Sequence, residues 1–73
     1  MITKDFHFHN TEDAINEMHH VVGQIRSAGK TEEVYFITGH GTIKPALIEA
    51  LKEYGLKPTT LLGNTGTILC LIE

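Results

Sequence analysis

Apolar and polar residues alternate along the first part of the chain, and this pattern predicts a strand over residues 2–8. Phe6 and Phe8 are the apolar members of the alternation, and a period of two is typical of a strand with one buried face. We expect both phenylalanines to face the core. The opposite face of the strand should then carry three polar residues, Asp5, His7 and His9.

A helical pattern follows, beginning after a cap at Asn10 and running to about Ala28. Acidic residues in its first turn complement the helix dipole, and Gly29 suits the left-handed position after its end. The apolar stripe, widened by Ala14 and Val21, consists of Ile15, Met18, Val22 and Ile25.

A short all-apolar run at residues 34–37 predicts a buried second strand, because it is too short for a helix. A second helix should begin near Thr42, a candidate cap, and end at Gly55. Its packing face comprises Leu47, Leu51 and Tyr54, supported by Ile43, Ala46 and Ala50. Between strand and helix lies what we call the glycine loop, made of Thr38, Gly39, His40 and Gly41.

Two further strands are predicted at residues 59–62 and 67–72, joined by a hairpin turn at residues 63–66. The order βαβαββ predicts an α/β two-layer sandwich, with a four-stranded mixed sheet and both helices on one face. Because crossovers through helices favour parallel strands, the first three strands should be parallel and the last antiparallel to the third.

Length and composition are those of one small globular domain over residues 1–73. The net charge of −3 argues against a strong nonspecific grip on nucleic acid, which usually needs a basic face. No apolar run approaches the ~20 residues that span a bilayer. The first residues carry no apolar leader, and the lone cysteine, Cys70, predicts a buried residue without a disulfide. These features favour a cytoplasmic protein.

The glycine loop is suited to holding an anion. Glycines let the backbone approach a ligand closely, and the start of the following helix favours phosphate. Lys44 could add a positive charge in the first turn of that helix. The alternative is that Gly39 and Gly41 only make a tight turn between strand and helix.

The chain has five histidines, which are candidates for acid–base and metal-binding roles. A carboxylate at Asp5 near the His7 imidazole would fix its tautomer and raise its basicity, as for a general base; the alternative is a solvated ion pair. His9 and His40 could each serve as a general acid or hold phosphate. With His7 they could also bind a divalent metal ion. The alternative is that they are simply polar residues at strand ends. Two more, His19 and His20, should be surface residues.

Two motifs resemble those of the Smr (small MutS-related) family, which carries LDxH on its first strand and TGxG after its second. The corresponding segments here are Lys4-Asp5-Phe6-His7 and Thr38-Gly39-His40-Gly41. Asn10 at the helix cap and the glycine-rich hairpin support this register, so the resemblance covers nearly the whole chain. Lys4 replaces the usual leucine and Phe8 the usual glycine.

The resemblance implies an endonuclease acting on DNA or RNA, with a fold similar to the carboxy-terminal domain of a translation initiation factor. The expected catalytic residues are Asp5, His7 and His40, with His9 as a second candidate. The expected phosphate-binding residues are Thr38, Gly39, Gly41 and Lys44. Two-metal nucleases need several converging carboxylates, whereas RNA carries its own 2′-hydroxyl nucleophile, so RNA cleavage is the favoured hypothesis.

Two other functions fit the sequence. One is a noncatalytic module that recognises nucleic acid through the same loop. The other is a protein-interaction domain, favoured by the excess of acidic residues. A thin core and open sheet edges also suit a homodimer or a larger protein partner.

Overall fold

The computed structural model describes residues 1–7 and 9–73, and these residues form four strands and two helices. Their order along the chain is the expected βαβαββ. The elements are β1 (Ile2–Asp5), α1 (Thr11–Ser27), β2 (Glu32–Ile37), α2 (Ile43–Glu53), β3 (Thr59–Leu61) and β4 (Asn64–Ile72).

The four strands form one mixed sheet in the spatial order β1-β2-β4-β3. β1 is parallel to β2, and β4 is antiparallel to both β2 and β3. The first three strands therefore point the same way and the last runs against them, which confirms the two-layer α/β prediction. The position of β4 between β2 and β3 leaves β1 and β3 as the sheet edges.

One face of the sheet packs against both helices. Val34 pairs with Cys70 and Phe36 with Ile68 across β2 and β4, and all four are buried. They meet the helix residues Met18, Val22, Leu47 and Leu51 in a single core. The opposite face carries no helix of the described chain, and Leu71 on it is 48% exposed.

The first strand is shorter than its sequence pattern predicts. β1 ends at Asp5, and the His9 amide donates to the Phe6 carbonyl at 2.9 Å, which closes a turn towards α1. Phe6 is buried as expected, while the prediction for Phe8 lies outside the described residues. The prediction that Asp5, His7 and His9 share one strand face is therefore wrong, because the last two follow the strand.

The helix ends follow the sequence signals with one exception. The Asn10 side chain accepts a hydrogen bond from the Asp13 amide at 2.8 Å, as a cap does, and Gly29 and Gly55 have positive φ. Thr42 occupies the cap position of α2 but makes no capping bond. Its hydroxyl instead lies 2.9 Å from that of Thr11, because the start of α1 is close enough to supply another partner.

The hairpin between β3 and β4 is tighter than predicted. β4 already begins at Asn64, which pairs with Leu61, so the predicted turn over residues 63–66 is wrong in extent. Gly63, with a φ of 80°, supplies the left-handed residue that so short a connection needs. Gly66 thereby becomes a buried strand residue next to the glycine loop.

Among residues 1–7 and 9–73, neither helix has the length and apolar character that a transmembrane span requires.

Candidate functional site

A groove of about 450 Å³ opens where β1 and β2 end and the two helices begin. Asp5 and Ile37 are partners at the ends of these parallel strands, so the segments that follow them emerge side by side. Ligands commonly bind at this edge of an α/β sheet. The groove is lined by His7, His9, Asn10, Thr11, Ile43, Thr42 and the four residues of the glycine loop.

Asp5 and His7 form a carboxylate–imidazole pair at the entrance to the groove. Oδ1 of Asp5 is hydrogen-bonded to the His7 ring at Nδ1, and the same oxygen accepts from the His7 amide at 3.1 Å. The turn after β1 folds His7 back over Asp5, so the pair forms without a shared strand face. With Nδ1 donating to the carboxylate, the basic lone pair of a neutral ring is on Nε2.

The electrostatics of the pair favour an ionised carboxylate. The hydrogen bond from the His7 side chain is the main cause that lowers the pKa of Asp5, and the His7 amide adds to it. Asp5 is 47% exposed and His7 41% exposed, so solvent reaches both. The arrangement can orient an imidazole, as a general base requires.

The first half of the glycine loop is bound to β4. The amides of Thr38 and Gly39 both donate to the Gly66 carbonyl, at 2.8 and 3.0 Å. The buried Thr38 hydroxyl lies 3.1 Å from the Gly39 carbonyl and 3.3 Å from that of Gly66. These donors hold the loop in place and are already engaged. Gly39, with a φ of 70°, turns the chain from β2 towards α2.

The second half of the loop leaves amide donors available for a ligand. Within the described chain, the amides of Gly41, Thr42 and Ile43 have no hydrogen-bond acceptor, as is usual for the first turn of a helix. The contact between Thr11 and Thr42 also brings the start of α1 beside the start of α2. Two helix starts therefore meet at one groove. The first turn of α2 carries no acidic residue, so its positive dipole end favours an anion, whereas Glu12 and Asp13 offset the dipole of α1.

His40 and Lys44 are both held by Thr65 of β4. Nε2 of His40 lies 2.8 Å from the Thr65 hydroxyl, and the Lys44 ammonium donates to the Thr65 carbonyl. His40 is exposed and lines the groove. Lys44 lies beside the groove, where its charge can attract an anion without contacting the amides of the loop.

His9 lines the groove too, with its ring packed edge-on against Phe6 at 5.3 Å between centroids. The hypothesis of a metal site made by His7, His9 and His40 gains no support. Among residues 1–7 and 9–73, no three histidine, cysteine or carboxylate side chains are grouped so as to hold a metal ion. Two of the three rings are instead engaged by Asp5 and Thr65.

Sequence reasoning missed three residues that shape the site: Thr11, Thr65 and Gly66. A Cβ added to Gly66 would lie 3.3 Å from His40 Cε1 and 3.4 Å from Gly39 Cα, so a side chain at this position would press on the His40 ring. Nothing near these residues in sequence identifies their partners, because the contacts cross from one element to another. The order of the strands in the sheet supplies that information.

Comparisons of the chain with protein-family models, curated proteins and solved structures find no match.

Proposed function

We propose that this chain is an Smr-like domain that cleaves phosphodiester bonds in nucleic acid, with RNA as the preferred substrate. The observation that carries the proposal is the meeting of the Asp5–His7 pair with two helix N-termini in one groove. A base and an anion cradle are the two elements that phosphoryl chemistry on a 2′-hydroxyl requires. The resemblance of the two motifs to LDxH and TGxG supports the same function.

The geometry of the groove supports one assignment of roles. His7 takes the proton of the 2′-hydroxyl, and Asp5 holds its ring in the required tautomer. The 2′-oxygen then bonds to phosphorus as the bond to the 5′-oxygen breaks, which leaves a 2′,3′-cyclic phosphate. The amides of Gly41, Thr42 and Ile43 hold the phosphate oxygens, and His40 donates a proton to the leaving 5′-oxygen.

The side chains of the proposed site suit this chemistry better than hydrolysis by two metal ions. Two-metal sites need several carboxylates around ions about 4 Å apart, and Asp5 is the carboxylate of the proposed catalytic set. A single divalent ion bound by the substrate remains compatible with the proposal. The net charge of −3 further suggests that a second copy or a larger cytoplasmic partner supplies basic surface for the rest of the nucleic acid.

The test is a cleavage assay on single- and double-stranded RNA and DNA, with and without a chelator. We expect cleavage of RNA by the wild type and a loss of roughly 100-fold or more in His7→Ala, the usual worth of a general base. His20→Ala, which removes an exposed histidine outside the groove lining, is the matched control. Unchanged cleavage by His7→Ala would remove the assigned role. Metal-dependent cleavage of DNA alone would refute the RNA preference.

A second candidate function is the binding of nucleic acid without cleavage. It is favoured by the hydrogen bonds that the glycine loop already makes. Its first two amides are bound to Gly66, so the loop offers fewer donors to a transition state than its glycine content suggests. Under this alternative, RNA binding persists in His7→Ala, no substrate is cut, and Gly41→Val abolishes binding by obstructing the remaining amides.

A further inference from the structure

We propose that Thr65 is a positioning residue, which orients His40 so that Nδ1 is the nitrogen that exchanges a proton in the groove. This inference rests on the proposed function and deepens it. It concerns a residue of β4 that neither motif contains.

The contacts of Thr65 tie the glycine loop to the sheet. Its hydroxyl lies 2.8 Å from Nε2 of His40, and its carbonyl accepts from the Lys44 ammonium. The neighbouring residue, Gly66, accepts both Thr38 and Gly39 amides. One dipeptide of β4 therefore holds the loop backbone, the candidate acid and the candidate cation.

Paired residues flank Thr65 along β4, although the register between β3 and β4 shifts between Thr60 and Leu61. Asn64 pairs with Leu61 of β3 on one side, and Thr67 pairs with Ile37 of β2 on the other. Gly66 is buried and lies within contact distance of Gly39. The Thr65 hydroxyl is thus presented from a short segment of β4 that is anchored at both ends by pairing, which helps a side chain to orient another side chain.

The hydrogen bond determines which ring nitrogen works. When His40 is protonated, Nε2–H donates to the Thr65 hydroxyl and Nδ1–H is the proton available to the leaving 5′-oxygen. After that proton is transferred, the neutral ring keeps its proton on Nε2, where Thr65 still accepts it. Nδ1 then carries the lone pair that recovers a proton from water, so His40 returns to its protonated state without rotation of the ring.

A purely structural role of Thr65 would appear as a loss of stability, whereas a positioning role should appear in the rate of cleavage. Thr65 and His40 are both exposed, and a single hydrogen bond between such groups contributes little to stability. Removing the hydroxyl should leave the fold intact while it frees the His40 ring to rotate. The expected loss is therefore in kcat, whereas KM should hold because the amides that bind phosphate are untouched.

The experiment compares Thr65→Val, Thr65→Ser and the wild type in RNA cleavage under saturating and limiting substrate. Valine keeps the β-branched shape that suits a strand and removes only the hydroxyl. We expect kcat to fall about tenfold in Thr65→Val, a part of the ~100-fold effect of a general acid. KM should change less than twofold, and serine should restore kcat. Thr59→Val, an exposed threonine of β3, is the matched control.

A second measurement reads the ring directly. Imidazole ¹⁵N shifts should show His40 in the Nε2–H tautomer in the wild type and in Thr65→Ser, and in a mixture of tautomers in Thr65→Val. A wild-type ring already in the Nδ1–H tautomer, or equal kcat in Thr65→Val and the wild type, would overturn the role of Thr65. An inactive wild type with the Nε2–H tautomer would overturn the proposed function and leave the orientation of His40 standing.

Discussion

At the scale of single residues, the contact between Asp5 and His7 was predicted correctly, although the predicted backbone around it was partly wrong. A spacing of two residues suggested that the side chains meet on one strand face. They meet instead because the chain turns after Asp5 and brings His7 back to its carboxylate. The sequence therefore predicted the contact, whereas the turn that makes it depends on where β1 stops pairing with β2.

The pair has a measurable acid–base consequence. The His7 side chain and amide lower the pKa of Asp5 in the folded state. The ionised carboxylate therefore stabilises the fold fully at any pH above the pKa of Asp5 in the unfolded chain, which is about 4. That stabilisation should disappear as the pH falls through the lower, folded pKa. An NMR titration of the Asp5 carboxyl carbon should give a midpoint below 4, and His7→Ala should bring it back towards the ordinary value. Equal midpoints in both proteins would contradict the assigned cause.

Contacts distant in sequence were beyond the reach of residue patterns. Thr65 and His40 are partners although 25 positions separate them, and nothing in the local sequence of either identifies the other. Their contact depends on β4 lying beside β2. Since an edge position for β4 would also have satisfied the predicted strand directions, the sequence alone left the location of Thr65 undetermined.

At the scale of elements, helix ends were predicted where the signal is local. Asn10 caps α1 through the Asp13 amide three residues on, and Gly29 and Gly55 take the left-handed conformation after each helix. Thr42 has the same local signal as Asn10 but bonds to Thr11 of the other helix. A competing partner from another element is invisible in the sequence around Thr42.

This contrast predicts unequal effects of two similar substitutions on stability. Asn10→Ala removes a capping bond and should lower the free energy of unfolding by about 1 kcal/mol. Thr42→Ala removes an exposed bond between hydroxyls and no capping bond, so it should cost less than half as much. Urea denaturation followed by circular dichroism measures both. A larger loss in Thr42→Ala than in Asn10→Ala would show that the contact between helix starts, rather than the cap, holds this end together.

At the scale of the whole molecule, strand alternation and helical periodicity predicted the architecture because both report on one shared core. Buried residues from both helices and from β2 and β4 pack together, so each pattern indicated the same interior. Charge and composition, by contrast, carry no information about which ends of these elements meet. The convergence of two helix starts on the groove is a property of the fold alone.

Under the proposed function, the net charge of the chain predicts that RNA binds weakly and that its affinity depends only mildly on salt. The proposed site has one lysine beside it, Lys44, on a chain with a net charge of −3. Lys44→Ala should lower the slope of log K against log salt by about 0.7 for single-stranded RNA, the contribution of one neutralised phosphate. Lys57→Ala, an exposed lysine that does not line the groove, should leave the slope unchanged. Equal slopes in wild type and Lys44→Ala would remove Lys44 from the phosphate-binding set.

The central claim is that the groove between the two helix starts holds a phosphodiester beside His7. It is tested most directly by titrating the protein with a short 2′-O-methyl RNA, which lacks the nucleophilic hydroxyl, while amide NMR shifts are followed. We predict that the largest shifts occur at His7, His40, Gly41, Thr42 and Ile43. Shifts confined to the uncovered sheet face around Leu71, or no shifts at saturating RNA, would contradict it.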